Sequence, residues 1–139
     1  MDTRTKALVD YYHALTPATL GQLGAVYNEQ VVFKDPFNRV KGLVPLRHIF
    51  QRMFDDLNNP HFVISDTLTE GDQAFLIWDF RFEKKGLPSP MCIHGSTHVR
   101  FDESGKVVWH RDYWDAAEEL YSKLPLIGAM MRWLQRKLA

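Results

Sequence analysis

The order of the predicted elements indicates an α+β fold, in which N-terminal helices pack on a curved and mainly antiparallel sheet in a cone-shaped arrangement. Apolar residues recur at helical spacing before residue 57 and at strand-like spacing after Pro60. The connections between the later strands are short, which indicates antiparallel hairpins. We expect the 139 residues to form one domain over 1–139, with a core over about 5–117 and a C-terminal helical extension over about 118–138.

Three helices are predicted before the long strands. The first is indicated by four apolar residues at helical spacing: Leu8, Tyr11, Tyr12 and Leu15. The second begins with Thr16 as the N-cap and Pro17 at the first helical position, and its apolar residues are Leu20, Leu23 and Tyr27. The third carries an apolar stripe and stops at the sequence Asn58-Asn59-Pro60; its stripe is Leu46, Ile49, Phe50, Met53 and Leu57.

A short strand over residues 30–34 and a turn over 38–42 separate the second and third helices. Four long strands follow, over residues 61–70, 73–85, 91–102 and 106–115. In the second of these, apolar residues occur at both parities, with Trp78 and Phe80 on one face and Phe75 and Ile77 on the other. Both faces therefore need cover, and we expect the helices on one face and a second subunit of a homodimer on the other.

Composition excludes several classes of protein. The chain has 17 Lys and Arg against 17 Asp and Glu, so it lacks the positive charge typical of a nucleic-acid-binding protein. Cys92 is the only cysteine, so no internal disulfide is expected. The N-terminal residues lead into an amphipathic pattern rather than an apolar run, and we expect a cytoplasmic protein.

The last predicted strand carries the most suggestive polar residues. His110, Asp112 and Trp114 share one face with Val108, whereas Val107 falls on the other face. His110 and Asp112 would lie roughly 6–7 Å apart along a strand, a workable distance for two groups acting on one substrate or one water. The commoner alternative is a surface strand with alternating charge, and parity alone leaves both open.

His94 and His98 are four residues apart, a spacing that suits a metal ion on a helix. On a strand the same spacing separates the two residues by roughly 13 Å, which is too far to share an ion. We therefore expect no metal site, and no cofactor.

Asp35 lies at a strand end, directly before Pro36. Its structural role would be to start a turn, which Asp-Pro sequences do readily. Its functional role would be that of a carboxylate in an apolar pocket between Phe33 and Phe37. Such surroundings disfavour the charged form and make a carboxylate a better general base.

Three features together carry a family resemblance over roughly residues 5–117. They are Tyr11 on the first helix, the sequence Val31-Val32-Phe33-Lys34-Asp35-Pro36 followed by Gly42, and the sequence Gly105-Lys106-Val107-Val108. The chain in these features resembles the nuclear transport factor two-like superfamily, which includes ketosteroid isomerases, SnoaL-like polyketide cyclases and limonene epoxide hydrolases. That resemblance implies the cone-shaped α+β fold and a small-molecule pocket.

The resemblance to ketosteroid isomerases implies roles for three residues. Asp35 matches their general base, and Tyr11 matches an oxyanion-binding tyrosine on the first helix. Their second oxyanion donor is a protonated aspartic acid on the third long strand. Thr97 stands at that position here and differs from it in not being an acid.

The segment 109–115 resembles limonene epoxide hydrolases, which implies that Asp112 belongs to an Asp-Arg-Asp catalytic set. Asp79 and Arg81 match the other two members, although in reversed order, and Asp35 matches an asparagine that holds the attacking water. SnoaL-like cyclases carry a His-aromatic-Asp run near this strand that supplies an acid/base Asp. All these resemblances imply that His110 and Asp112 face the pocket.

The resulting hypothesis is an enzyme that acts on a small apolar molecule by cofactor-independent acid/base catalysis. Asp35 and Asp112 would exchange protons, His110 would orient Asp112 or share its proton, and Tyr11 would donate to an oxyanion. The substrate would contact six further residues: Phe33, Phe37, Asp79, Arg81, Thr97 and Trp114. The alternatives are a non-catalytic protein that binds an apolar ligand and an interaction scaffold. Outward-facing Asp79 and Arg81 would favour the binding protein.

The C-terminal extension predicts an amphipathic helix. Its apolar stripe is Leu126, Ile127, Met130, Trp133 and Leu134, extended by Leu138. Its basic residues are Arg132, Arg136 and Lys137, and Lys123 lies in the segment before it. We expect the stripe to pack on the domain or on its dimer partner, and contact with an anionic membrane surface is the alternative.

Overall fold

A computed structural model describes residues 1–138, apart from the side chains at 125 and 126. The N-terminal part contains α1 (Thr3–His13), a 3-10 helix (Pro17–Ala25) and α2 (Leu43–Asp56). The strands are β1 (Tyr27–Lys34), β2 (Arg39–Lys41), β3 (Asn58–Glu70), β4 (Gln73–Glu83), β5 (Met91–Phe101) and β6 (Val107–Tyr113). The chain closes with α3 (Ala116–Glu119), a short 3-10 helix (Tyr121–Lys123) and α4 (Pro125–Leu138).

The predicted α+β architecture is confirmed. The six strands form one sheet in the order β2-β1-β6-β5-β4-β3, and β1 and β6 run parallel while the other described neighbours run antiparallel. The parallel pair joins the N-terminal part of the chain to its last strand, and it places Phe33 beside His110. Sequence periodicity carries no information on such a long-range pairing.

Several element boundaries differ from the predictions. The second helix is a 3-10 helix that contains Gly21 and Gly24, residues of low helix propensity, although it still buries Leu20 and Leu23. β1 begins at residue 27 rather than 30, and the predicted turn over 38–42 holds the short strand β2. The last strand ends at residue 113 rather than 115.

The inner face of the sheet forms the core beneath the helices. On β4 the buried residues are Ala74, Leu76, Trp78 and Phe82, while Phe75 on the other face is 41% exposed. Val107 on β6 is also fully buried, so its predicted assignment to the outer face is wrong. The register shifts between Arg100 and Phe101, and this irregularity brings Val107 to the same side as His110.

Candidate active site

A cavity of about 430 Å³ lies between α2 and the inner face of the sheet. Aromatic and aliphatic side chains make up most of its wall: Phe33, Phe37, Ile49, Phe50, Met53, Leu57, Phe62, Trp78, Phe80, Phe82, Ile93, Trp114 and Leu120. Few polar residues join them, which is typical of a site for a small apolar molecule.

Six of the described polar residues line the cavity, and two of them, Asp35 and Asn38, belong to the turn after β1. Arg52, Asp56 and Lys84 are exposed, so they form the rim of the cavity. The Asp112 side chain is 17% exposed and belongs to the interior, where it contacts the fully buried His110. Asp112 is therefore one of two partly buried carboxylates that a ligand inside the cavity would meet, and Asp35 is the other.

Asp112 is held by two side chains from neighbouring positions of the sheet. His110 Nε2 lies 2.7 Å from Asp112 Oδ1, and the Thr97 hydroxyl donates to the same oxygen at 2.6 Å. Thr97 lies directly opposite Asp112 in the β5–β6 register. Both hydrogen bonds go to Oδ1, and no described side chain donates to Oδ2. Because no described buried polar side-chain atom lacks a partner, Oδ2 is not buried. Oδ2 is thus the oxygen that remains for a ligand.

His110 continues into a buried chain of tyrosines. Its Nδ1 lies 2.9 Å from the Tyr27 hydroxyl, which lies 2.5 Å from the Tyr12 hydroxyl. For a neutral His110 beside a charged Asp112, every bond is satisfied when Tyr12 donates to Tyr27, Tyr27 donates to Nδ1, and Nε2–H donates to Asp112. Burial raises the pKa values of Tyr12 and Tyr27 well above the usual range of a tyrosine, so both side chains remain neutral phenols.

Trp78 completes the support from the other side. Its Nε1 donates to the Thr97 hydroxyl at 2.8 Å, which directs the hydroxyl proton of Thr97 towards Asp112. The indole lies across Gly95 of β5, where a Cβ atom would stand 2.6 Å from the Trp78 ring. Glycine at this position is therefore needed for Trp78 to reach Thr97. A smaller cavity of about 20 Å³, on the order of one water molecule, lies beside Asp112, Thr97 and Tyr12.

Asp35 lines the main cavity together with Asp112, but its carboxylate is engaged in the turn after β1. Oδ1 accepts from the backbone N–H of Phe37 at 2.8 Å and of Asn38 at 2.6 Å, and the Asn38 amide donates to both oxygens at 3.1 Å. These bonds correspond to the turn role considered for Asp35. Its role as a general base stays a prediction.

Tyr11 lies away from the residues that line the cavity, so its predicted placement there is wrong. Its hydroxyl donates to the Thr19 carbonyl oxygen at 2.9 Å. The buried face of α1 consists of Thr5, Leu8, Val9 and Tyr12, and a helix turns its next residue about 100° away. Tyr12, rather than Tyr11, is the tyrosine of α1 that points into the core.

Asp79 and Arg81 lie on the outer face of the sheet, so their predicted contact with a substrate in the cavity is wrong. Asp79 accepts from His94 Nδ1 at 2.8 Å and from Arg81 at 3.4 Å, and these partners lower its pKa. The reason is parity, because Trp78 and Phe82 take the inward positions on β4.

The other four predicted contact residues each line one of the two cavities. Phe33 packs on His110 with a ring distance of 4.7 Å, and Phe37 meets Trp114 edge-on at 5.5 Å. Phe33, Phe37 and Trp114 line the main cavity, and Thr97 lines the smaller one.

The outer face also holds the two histidines whose spacing would suit a metal ion on a helix. His94 contacts Asp79, and His98 stacks on Phe75 with a ring distance of 4.7 Å. Among the residues that the structure describes, no three His, Cys, Asp or Glu side chains are placed to hold a metal ion.

Three residues of the network are absent from the site that the sequence predicts: Tyr12, in place of which the sequence predicts Tyr11, Tyr27 and Trp78. Apolar spacing places Tyr27 in the second helix, whereas it is the first residue of β1. Parity places Trp78 on one face of its strand but says nothing of its N–H. The signal available for all three is a polar atom on a side chain expected in the core, since buried tyrosine and tryptophan usually find a hydrogen-bond partner.

Solved structures of several proteins share this fold. One is a protein with a ketosteroid isomerase-like fold from Catenulispora acidiphila, in complex with trimethylamine (18% identity, 90% of this chain and 95% of that chain, TM-score 0.74). Another, from Shewanella putrefaciens, is proposed to be a SnoaL-like polyketide cyclase (20% identity, 88% and 96%, TM-score 0.74). A third is an LEH-like epoxide hydrolase from M. tuberculosis (16% identity, 95% and 96%, TM-score 0.71). At these identities the likeness concerns the fold alone.

No relative is found among curated protein sequences. The family comparison is more specific, because residues 8–110 match the model of the SnoaL-like domain. This match runs from α1 to His110 on β6, and it ends before three residues of the cavity wall: Asp112, Trp114 and Leu120. The chain therefore belongs to the SnoaL-like domain family, within the nuclear transport factor two-like superfamily.

Proposed function

We propose that the chain is a cofactor-independent enzyme in which Asp112 transfers a proton to or from a small apolar substrate. The observation that carries this proposal is the carboxylate itself. Oδ1 of Asp112 is fixed by His110 and Thr97 at the inner end of an apolar cavity, while no described side chain donates to Oδ2. A general base needs this kind of access to the proton that it removes.

The geometry divides the work between the two oxygens of Asp112. Oδ2 would take a proton from the substrate or from a water beside it, so that the bond to that proton breaks and its electron pair stays on the substrate or the water oxygen. The hydrogen bonds from His110 and Thr97 hold the carboxylate in one orientation throughout. His110 is thus a positioning residue, and it is itself oriented by Tyr27.

Two reaction classes fit one accessible carboxylate in an apolar cavity. Proton removal beside a carbonyl group would lead to isomerisation or cyclisation. Proton removal from water would lead to hydrolysis, as of an epoxide. Arg52 and Lys84 at the rim supply cations for the polar end of either kind of substrate.

A non-catalytic binding protein is the second candidate, and specific observations favour it. Asp79 and Arg81 face away from the cavity, and the Tyr11 hydroxyl is bound to Thr19. Asp35 accepts three hydrogen bonds within its turn to Oδ1 alone. Asp112 would then serve only to orient a ligand.

Proton transfer is best tested by reactions that report directly on isotope exchange or incorporation. Small cyclic ketones are incubated with the protein in D₂O, and loss of the protons beside the carbonyl is followed by NMR. In parallel, small epoxides are incubated in ¹⁸O-labelled water, and labelled diols are measured by mass spectrometry. Asp112→Asn is compared with Asp79→Asn, which removes a carboxylate of the same sheet from outside the cavity.

We expect the wild type and Asp79→Asn to accelerate at least one reaction, and Asp112→Asn to lose about 10²-fold or more of the rate. Tryptophan fluorescence tests binding in the same samples, because Trp78 and Trp114 line the cavity. Ligands that bind Asp112→Asn and wild type but are turned over by neither would replace the enzyme proposal with the binding protein.

A homodimer through the outer face of the sheet also remains a proposal. Phe75 and Tyr113 are 41% and 44% exposed there, beside the stacked His98. Exposed aromatic side chains on a sheet face commonly mark an interface. Light scattering should give about twice the chain mass of 16.2 kDa, and Phe75→Glu should halve the observed mass. A monomeric wild type at micromolar concentration would contradict this proposal.

A further inference from the structure

The helix α4 is attached to the rest of the chain by its small and polar side. Gly128 is buried, and its N–H donates to the Leu124 carbonyl oxygen at 2.7 Å. A Cβ atom at this position would stand 2.6 Å from the Ser122 carbonyl oxygen, which also accepts from Arg132. Glycine therefore allows close contact between α4 and the preceding segment on this side.

The opposite side of α4 is apolar and exposed. Ile127, Met130, Trp133 and Leu134 are 45%, 53%, 50% and 37% exposed. At 100° per residue, these four lie at least about 120° from the middle of the Gly128–Arg132 side. The expectation that the stripe packs on its own domain is therefore not met by these residues, and the side chain of Leu126 lies outside the described residues. A helix normally buries its apolar face, which favours a partner outside the chain for this one.

The charges of α4 indicate what kind of partner. Arg132, Arg136 and Lys137 lie on it, and none of the chain's 17 acidic residues does. The rest of a chain with zero formal charge is consequently negative. Two copies of α4 would bring like charges together, whereas a surface of anionic lipids would attract them.

The geometry points to a lipid surface: we infer that α4 lies in the interface of an anionic membrane with its apolar stripe among the acyl chains. Its 14 residues span about 21 Å, which is shorter than the roughly 30 Å hydrocarbon core. Among the described residues no helix is long and apolar enough to cross a bilayer. Lys137 Nζ lies 5.8 Å from the centre of the Trp133 ring, so its stem follows the apolar face and its charge can reach the lipid headgroups.

The test is cosedimentation of the full chain with phosphatidylcholine vesicles, with and without one-third phosphatidylglycerol. The variants are Trp133→Ala, which removes the largest exposed apolar side chain of the helix, and Arg136→Glu with Lys137→Glu. The matched control is Arg39→Glu with Lys41→Glu, because these two cations are exposed on the edge strand β2. Melting temperature and light scattering are measured without vesicles for every variant.

We expect binding to the anionic vesicles that is lost in about 0.5 M salt. The α4 charge variant should lower the partition coefficient at least about tenfold, and the β2 control should leave it nearly unchanged. Trp133→Ala should weaken binding without changing the melting temperature. Three results would overturn the inference: no binding to anionic vesicles, equal loss in the β2 control, or a Trp133→Ala variant that melts earlier or changes its mass, which would assign the stripe to packing or to a second copy. None of these measurements depends on whether Asp112 transfers a proton, so the two proposals can fail separately.

Discussion

The two faces of the sheet carry two histidine–aspartate pairs with nearly the same nitrogen–oxygen distance. Inside, His110 lies 2.7 Å from Asp112, and outside, His94 lies 2.8 Å from Asp79. The side chain of His110 is 1% exposed and that of His94 is 61% exposed. Within the part of the chain that the structure describes, only the inner pair has further hydrogen-bond partners on both sides, namely Tyr27 and Thr97. A polar pair therefore becomes a candidate site through its surroundings rather than through the distance between its two side chains.

The largest contrast is expected from removing each histidine. His110→Ala should lower the free energy of unfolding by about 3 kcal/mol, because it opens a cavity and leaves Tyr27 and Asp112 without a partner. His94→Ala should cost less than about 1 kcal/mol, as is usual for exposed pairs. Urea denaturation of both variants measures the difference. Equal losses would show that burial does not distinguish the pairs.

A smaller contrast is expected between two tyrosines. Tyr27→Phe should cost about 1–3 kcal/mol, because Tyr12 and His110 both lose a buried hydrogen-bond partner. Tyr11→Phe should cost about 1 kcal/mol or less, since its single bond to Thr19 is only partly buried. Thermal or urea unfolding compares the two. If Tyr11→Phe lowered the free energy of unfolding more than Tyr27→Phe, the hydroxyl of Tyr11 would contribute more to stability than the buried tyrosine chain, which would contradict this prediction.

The smallest effect concerns pH and the outer pair. Hydrogen bonds from His94 and Arg81 lower the pKa of Asp79 in the folded chain. A carboxyl group with a lowered folded pKa stabilises the fold above its unfolded pKa of about 3.9, and this stabilisation is lost as pH falls through the folded pKa. Asp79→Asn should therefore cost a few tenths of a kcal/mol at neutral pH, and nothing once the carboxyl group is protonated. Denaturation at neutral pH and near pH 2 gives both values, and a cost that persists in acid would have another cause.

Much of the fold is predictable, because helical and alternating periods are local properties of the sequence. The inward parity of Trp78 and Phe82 also predicts that Asp79 faces outward. Only the family resemblance predicts that Asp79 and Arg81 belong to the site. The alternation of residues along β4 therefore predicts the direction of these two side chains better than the resemblance does. The pairing of Phe33 with His110 depends on the parallel contact between β1 and β6, which no local pattern reports. The choice between Tyr11 and Tyr12 depends on the rotation of α1 by a single residue.

The protonation of His110 is the critical measurement, because both of its ring nitrogens take part in the hydrogen bonds of the inner network. Long-range ¹H–¹⁵N NMR on imidazole-labelled protein at neutral pH reports which ring nitrogen carries the proton. From the hydrogen-bond geometry we predict a single tautomer, in which Nε2–H donates to Asp112 and Nδ1 accepts from Tyr27. In the same spectrum, His94 should show the averaged signals of an exposed ring. A proton on Nδ1 of His110, or rapid exchange between its tautomers, would contradict the account.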